Sequence, residues 1–269
     1  MAVTSNDPVG PADRADLISV DLNADVGESF GAFSIGEDEA LLASITSASV
    51  AAGVHGGDAT VLRQTIQRAR AHGVAIGAHP GLPDLAGFGR REMRLAPGEV
   101  EDLVLYQIAA VSGVAAAEGV RLQHVKPHGA LYNMAARDAE LARAIVRAIS
   151  AADRSLLLFA PAGSEMAKAA DAAGITTVCE AFADRAYNAD GSLAPRSAPG
   201  ALITRADLVV ARVRRMLLDR TVTTVDGADI PIRANTVCIH SDTPGSGGLA
   251  AALRAGLKAA GVRLRAPGN

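Results

Sequence analysis

The chain of 269 residues has no tryptophan, and aromatic side chains make up only 3% of it. Its core must therefore be built from aliphatic and small residues, and the 49% hydrophobic content is ample for that and excludes general disorder. There are only two cysteines, Cys179 and Cys238. They form neither a disulfide framework nor a CxxC pair. Both read as small buried residues of strands, and a reducing cytoplasm is the expected compartment. Neither sign of charge dominates: a net charge of −3 gives no basic footprint for nucleic acid. No apolar run reads as long enough to span a membrane. The opening MAVTSNDPVGPADRAD lacks the basic start and apolar stretch of a secretory signal, so residues 1–16 are expected to be a disordered lead to a single domain over 17–265. Also missing are the phosphate-cradling GxxxxGK[ST] loop, the GxSxG elbow and a plausible nucleophilic cysteine.

What the chain does contain is a repeated alternation of strand and helix. Strands are expected at 18–23, 49–53, 74–78, 120–128, 156–159, 176–180 and 236–239. Helices are expected at 37–45, 58–72, 97–118, 139–150, 165–173, 206–218 and 249–260, with a hairpin around Asp226-Gly227 in 221–232. Such alternation argues for a parallel sheet wrapped by helices. An open sheet with helices on both faces would want apolar residues on both. Here one face is small or polar on strand after strand: Gly53 and His55, Gly77 and His79, Lys126 and His128, Cys238 and His240. The expected fold is thus an irregular seven-stranded parallel (β/α) barrel of the α/β class.

The stretch around which the rest is organised is HVKPHGALYN, residues 124–133. Strand alternation puts His124, Lys126 and His128 on one face and Val125 and Pro127 on the other. A cation and two imidazoles on an inward face are costly unless something there uses them. Of six histidines, His55, His79, His128 and His240 fall at or just past the C-terminal ends of strands, the rim on which such barrels carry their chemistry. Asp25, Glu28, Asp58, Glu180, Asp184 and Asp242 join them, although Glu28 and Asp58 taken singly read as a surface charge or a helix cap. Acid–base and electrostatic work on a small polar substrate remains, with Lys126, His128, Asp25 and Glu180 as catalytic candidates. Asn23, His55, Asp58, His79, Arg90, Asp184, Arg185, His240 and Asp242 are the substrate-binding candidates. Asp25 and Glu180 are expected on opposite parts of the rim. A divalent ion held by Asp25, His55 and another rim histidine is an alternative, and no metal set is assigned. The connection 181–201, AFADRAYNADGSLAPRSAPGA, exceeds the ordinary loop length and is expected to act as a lid, with Arg185 or Arg90 clamping a carboxylate.

The motifs DLNADVGE, AAGVHGGD, GVAIGAHPGLPD followed by FGR, HVKPHGALYN and EAFADRAYNADGSLAPRS resemble the LamB/YcsF family over about residues 18–258. That family comprises the A component of the bacterial three-component 5-oxoprolinase. The resemblance implies a barrel of the glycoside hydrolase and deacetylase kind. It further implies cleavage of 5-oxo-L-proline to L-glutamate, with ATP and Mg²⁺ held mainly by partner B and C subunits. The GSGG turn before the last helix could meet a phosphate here. Two other readings stay open: a stand-alone metal-dependent amide or acetyl-sugar hydrolase, and a lactam-binding subunit that breaks no bond.

Overall fold

We describe residues 18–268 from a computed structural model; the expected lead at 1–16 lies outside the described residues. Strands β1 (Ser19–Val26), β2 (Ser47–Ala51), β3 (Ala75–His79), β4 (Leu122–Val125), β5 (Leu157–Ala160) and β6 (Thr177–Phe182) pair in parallel in chain order. After the hairpin β7 (Thr221–Thr223) and β8 (Asp229–Pro231), strand β9 (Thr236–Ile239) inserts between β6 and β1 and closes a seven-stranded barrel. The helices between them are α1 (Asp38–Leu42), α2 (Ala59–Ala71), α3 (Pro97–Ala117), α4 (Gly129–Ala135), α5 (Ala139–Ala152), α6 (Glu165–Ala173), α7 (Ala206–Leu218) and α8 (Ser246–Ala259).

Strand alternation decides what each side of the wall sees. On β1, Val20, Leu22 and Ala24 join the aliphatic layer under the helices, while Asp21, Asn23 and Asp25 alternate with them. The helices close that layer: Ile145 and Ile149 of α5 are fully buried, each contributing about 2 kcal/mol by removal from water. The interior of the barrel is polar from base to rim. At the base, Asp21 accepts hydrogen bonds from Thr46, Ser47 and Thr236. Burial, only partly offset by those hydroxyls, pushes its carboxyl up to about 6. One level up, Ser49 meets His124, whose ring stacks on Phe159 with centroids 4.0 Å apart. The wall has room for that ring because β3 carries Gly77 beside it, where a Cβ would fall 2.2 Å from the imidazole and where the β3–β4 register shifts.

Some expectations shift. Strand β2 ends at Ala51, so Gly53 is a turn residue at φ +86° and not an inward strand position. Helix α1 is a single short piece, and β10 (Arg263–Leu264), which pairs with the base of β1, was not expected. The loop after β3 reads as too polar for the interior, yet Pro80, Gly81, Leu82, Asp84 and Gly89 are buried in it. Helix α3 is long and apolar enough to cross a membrane by length and composition alone, contrary to the sequence reading. Here it lies on the barrel with Val100, Val104, Ile108 and Val111 buried, and Gln107 exchanges hydrogen bonds with the backbone of Gly81.

Candidate active site

The C-terminal ends of the strands carry a cavity of about 220 Å³. That is smaller than the roughly 300–1,000 Å³ of clefts for drug-sized ligands, so it fits a small molecule. Asp25, His79, Lys126, His128, Arg185 and His240 are among the residues lining it.

At its floor stands Lys126, which leaves the end of β4 with its side chain 2% exposed. Its Nζ lies 2.8 Å from Asp25 Oδ1 and 2.9 Å from Glu180 Oε1, and it donates to Asn23 Oδ1 at 2.9 Å and to Cys238 Sγ at 3.0 Å. Burial opposes the charge of the ammonium, but Asp25, Cys238 and Glu180 outweigh it and hold the group protonated well above the ordinary lysine range. Against the same burial, His79 and Lys126 keep Asp25 ionised well below the usual carboxylate range. Asp25 and Glu180 therefore do not sit on opposite parts of the rim: only β9 separates their strands, and both converge on one ammonium.

Above the lysine, His79 and His128 meet with Nε2 and Nδ1 2.9 Å apart. His55 stacks on His128 with centroids 3.7 Å apart, and Glu28 Oε1 lies 3.1 Å from His55 Nε2. Opposite them, His240 Nδ1 donates to Asp184 at 2.9 Å, and the Thr243 hydroxyl donates to the same carboxylate. Burial works against the charge on Asp184, but His240 and Thr243 outweigh it and hold the carboxyl at about 2. Asp184 thereby fixes the His240 ring with its Nε2 free of that bond.

The connection after β6 covers the mouth, as a lid would. Bridges Arg185–Leu202 and Tyr187–Leu193 give it structure of its own, and Leu193, Ala194, Pro195 and Arg196 line the cavity. Arg90 and Arg196 both reach Asp242, at 2.8 Å and 3.2 Å. Arg185 donates through Nη2 to the Ala194 carbonyl, and its buried Nε has no hydrogen-bond partner among the described residues. Burial and then Arg196 pull this guanidinium down to about 10, so an anion in the cavity would relieve both.

Several sequence-predicted site residues take other places. Asp58 accepts from Thr60 N and Val61 N as the N-cap of α2 and from Gly31 N, outside the cavity. Asn23, His55 and Glu180 are fully buried beneath or beside the lining and position other groups. Asp184 stands behind His240, and Asp242 is occupied by two arginines. His128 lines the cavity, and both its ring nitrogens are engaged: Nε2 donates to the Phe88 carbonyl at 2.7 Å and Nδ1 faces His79. The glycine stretch expected as a turn before the last helix instead forms the first turn of α8, where Gly247 N already donates to the Glu37 carboxylate. Sequence reasoning placed Glu28 on the rim but discounted it as a surface charge, whereas it is 2% exposed and bonded to His55 and Ser241, and it read Cys238 only as core. It also missed Tyr132, whose hydroxyl burial and Glu180 hold well above the usual tyrosine range.

Two consequences are measurable. Gly89 adopts φ +63°, and a Cβ there would fall 2.7 Å from His55 and 2.8 Å from His128. Gly89→Ala should cost about 1–3 kcal/mol of stability in chemical denaturation, through strain and overpacking together. Gly98→Ala, with open space around it, serves as the control. Equal effects at the two positions would refute the packing described. The second concerns Asp184. Its folded value of about 2 lies below the ordinary 3.8, so its charge stabilises the fold above that value and the benefit is lost as pH falls toward 2. Asp184→Asn should therefore be about 2 kcal/mol less stable than wild type near neutral pH, with the gap closing between pH 4 and 2. A gap that does not change with pH would remove the ionic role.

The LamB/YcsF family matches residues 20–269 of the chain. The chain is 52% identical over 248 residues to the A component of 5-oxoprolinase from Bordetella pertussis, covering 92% of this chain and 98% of that one. It is 50% identical over 250 residues to the corresponding 5-oxoprolinase component of Bacillus subtilis, covering 93% and 97%. The crystal structure of the lactam utilization protein from Thermus thermophilus superposes with a TM-score of 0.87 at 49% identity, over 93% of this chain and 100% of that one.

Proposed function

The chain belongs to the LamB/YcsF family, and from that premise we propose that it is the A component of a 5-oxoprolinase. In this reading it opens the ring of 5-oxo-L-proline to L-glutamate at the expense of ATP, together with partner B and C subunits. The observation that carries the reading is the protonated Lys126, held between Asp25 and Glu180 at the floor of a small cavity whose mouth bears arginines. That enclosure suits a small anion whose reacting oxygen gains negative charge.

The reaction breaks the lactam C–N bond, forms a C–O bond to water and leaves the ring nitrogen needing a proton. Asp25 is ionised and lines the cavity, so it takes the proton from water. Lys126 stabilises charge developing on the lactam oxygen or on a phosphate attached to it. His240, its Nδ1 tied to Asp184, presents Nε2 to return a proton to the leaving nitrogen, the geometry of a carboxylate-oriented imidazole. Ring closure of glutamate is intramolecular and enjoys a proximity advantage, so driving the opening to completion calls for coupling to ATP. Phosphorylating the lactam oxygen, with ADP leaving, makes the ring carbon a better electrophile; attack by water and cleavage of the C–N bond then leave an acyl phosphate, which a second water hydrolyses to glutamate and inorganic phosphate. The chain has no lysine-bearing phosphate loop. Nucleotide contact is therefore shared with a partner, over loops 79–91 and 184–200. The free thiols Cys179 and Cys238 agree with a cytoplasmic placement.

The test is 5-oxoproline-dependent glutamate and phosphate release by the purified chain, alone and with its partner subunits. Turnover only in the assembly, lost when rim residues of this chain are changed, supports the proposal. Turnover that survives such changes would leave the chain a binding component. For the substrate carboxylate, Arg185, whose Nε has no partner among the described residues, is the better clamp, since Arg90 is already committed to Asp242. Arg185→Leu should raise the KM for 5-oxoproline at least about tenfold, the scale of one charge-assisted hydrogen bond. Arg90→Leu should raise it less. The reverse ranking would move the clamp to Arg90.

A further inference from the structure

Beside the Lys126 centre lies a second cluster that the lactam reaction as derived does not use. Glu28, His55, His79 and His128 each place one donor atom within 4.8 Å of the other three, and all four residues are buried. The separations from Glu28 Oε1 are 3.1 Å to His55 Nε2, 3.4 Å to His128 Nδ1 and 4.0 Å to His79 Nε2, and the last two nitrogens are 2.9 Å apart. Four ligands at the 2.0–2.2 Å bond lengths of zinc, arranged tetrahedrally, stand about 3.3–3.5 Å from one another. The four atoms bracket that spacing.

The protons on two of the three rings are fixed from outside the cluster, while His55 Nε2 meets Glu28 within it and His55 Nδ1 is buried with no hydrogen-bond partner among the described residues. His79 Nδ1 lies 2.7 Å from the Lys126 carbonyl, and His128 Nε2 lies 2.7 Å from the Phe88 carbonyl. A carbonyl oxygen can only accept, so each of those nitrogens carries the hydrogen. The nitrogens that face each other, His79 Nε2 and His128 Nδ1, are 2.9 Å apart, so with both rings neutral two lone pairs would meet there. Two lone pairs at that distance repel unless a cation lies between or beside them. An imidazole whose far nitrogen donates to a backbone carbonyl is also the usual setting of a metal-bound histidine, because that bond orients the ring and raises its basicity.

We propose that Glu28, His55, His79 and His128 form a binding site for one divalent transition ion of the zinc type. Three imidazoles and one carboxylate make a borderline nitrogen-rich set that suits zinc, cobalt or nickel and disfavours magnesium or calcium, which prefer oxygen. His79 and His128 also line the cavity, so the ion stands at its wall, where a cation can polarise a bound carbonyl. The proposal concerns this chain's own side chains and stands apart from the identity of the substrate.

The test is metal content and spectroscopy of the purified full-length chain, not turnover. After removal of metal with a chelator, Zn²⁺ should bind at one equivalent and raise the unfolding temperature. Co²⁺ in its place should give the intense visible bands of a tetrahedral nitrogen and oxygen site. X-ray absorption of the zinc-loaded wild type should show imidazole scattering from three rings, a readout that needs no variant to fold. Glu28→Gln should weaken binding at least about 100-fold, beyond the 10–100-fold typical when only an outer partner of a ligand is lost. His72→Gln, which alters a histidine at the end of α2 paired with Glu39, should leave binding intact. Folded wild-type protein that takes up no Zn²⁺ or Co²⁺, with nitrogen NMR showing one proton shared by the His79–His128 pair, would overturn the proposal. So would binding lost in His72→Gln but kept in Glu28→Gln.

Discussion

Lys126→Met is expected to abolish 5-oxoproline turnover by the assembled enzyme, by at least about a thousandfold. That is the scale on which removal of one preorganised electrostatic group acts, about 3–4 kcal/mol of transition-state stabilisation. The cost to stability should be visible too. The ammonium is the shared partner of Asp25 and Glu180, both buried, and its removal leaves two carboxylates together without a cation. Breaking a buried pair by removing one partner typically costs about 3–5 kcal/mol. The variant should therefore unfold at lower denaturant, and more so at neutral than at mildly acid pH, where one carboxylate can take a proton. Steady-state kinetics and urea unfolding at two pH values check both parts. Turnover within about tenfold of wild type, in a folded variant, would place the oxyanion or phosphate stabiliser elsewhere.

The second large effect separates the two acids. Asp25 lines the cavity and touches Lys126 and His79, whereas Glu180 is sealed beneath, receiving the Asn23 amide at 3.0 Å and the lysine at 2.9 Å. If Asp25 is the base toward water, Asp25→Asn keeps the shape of the site and removes the proton acceptor. A loss of about 10²–10⁴-fold in kcat with little change in KM is expected, the range for general-base catalysis. Glu180→Gln should behave differently. It weakens the hold on Lys126, so it should lower stability and affect kcat through the lysine, by less than Asp25→Asn does. A Glu180→Gln loss exceeding that of Asp25→Asn, with KM unchanged in both, would transfer the base to Glu180.

The barrel was legible because its signal is repeated. Small or polar inward residues recur on successive strands, and β9 and α6 fall at the boundaries read from the sequence. The Lys126 centre was legible for a related reason: strand alternation orients Lys126, and the rim gathers Asp25, His79 and His240 around it. What was not legible depended on partners far apart in the chain. Glu28 follows a glycine turn, where an acid normally reads as a surface charge. Its partners His55 and Ser241 lie 27 and 213 positions away, so no local spacing announces them. Asp58 reads from the sequence both as a helix cap and as a rim acid, because the two share the position just before a helix, and the cap reading is the one the structure bears out. The burial of Cys238 followed from its strand, but its contact with Lys126 did not, because that depends on how the barrel closes.

That closure also sets the order in which the molecule can be made. Strand β1 leaves the ribosome well before its partner β9, and the bond from Thr236 to Asp21 spans 215 positions. Until β9 emerges, β1 offers an unpaired edge with Asp21, Asn23 and Asp25 along it, and those polar groups remain in water at no cost. An edge carrying inward-pointing charges is a poor template for pairing with another chain. The acids that later hold Thr236 and Lys126 thus protect the growing chain from aggregation during the slow search that such long-range pairing imposes.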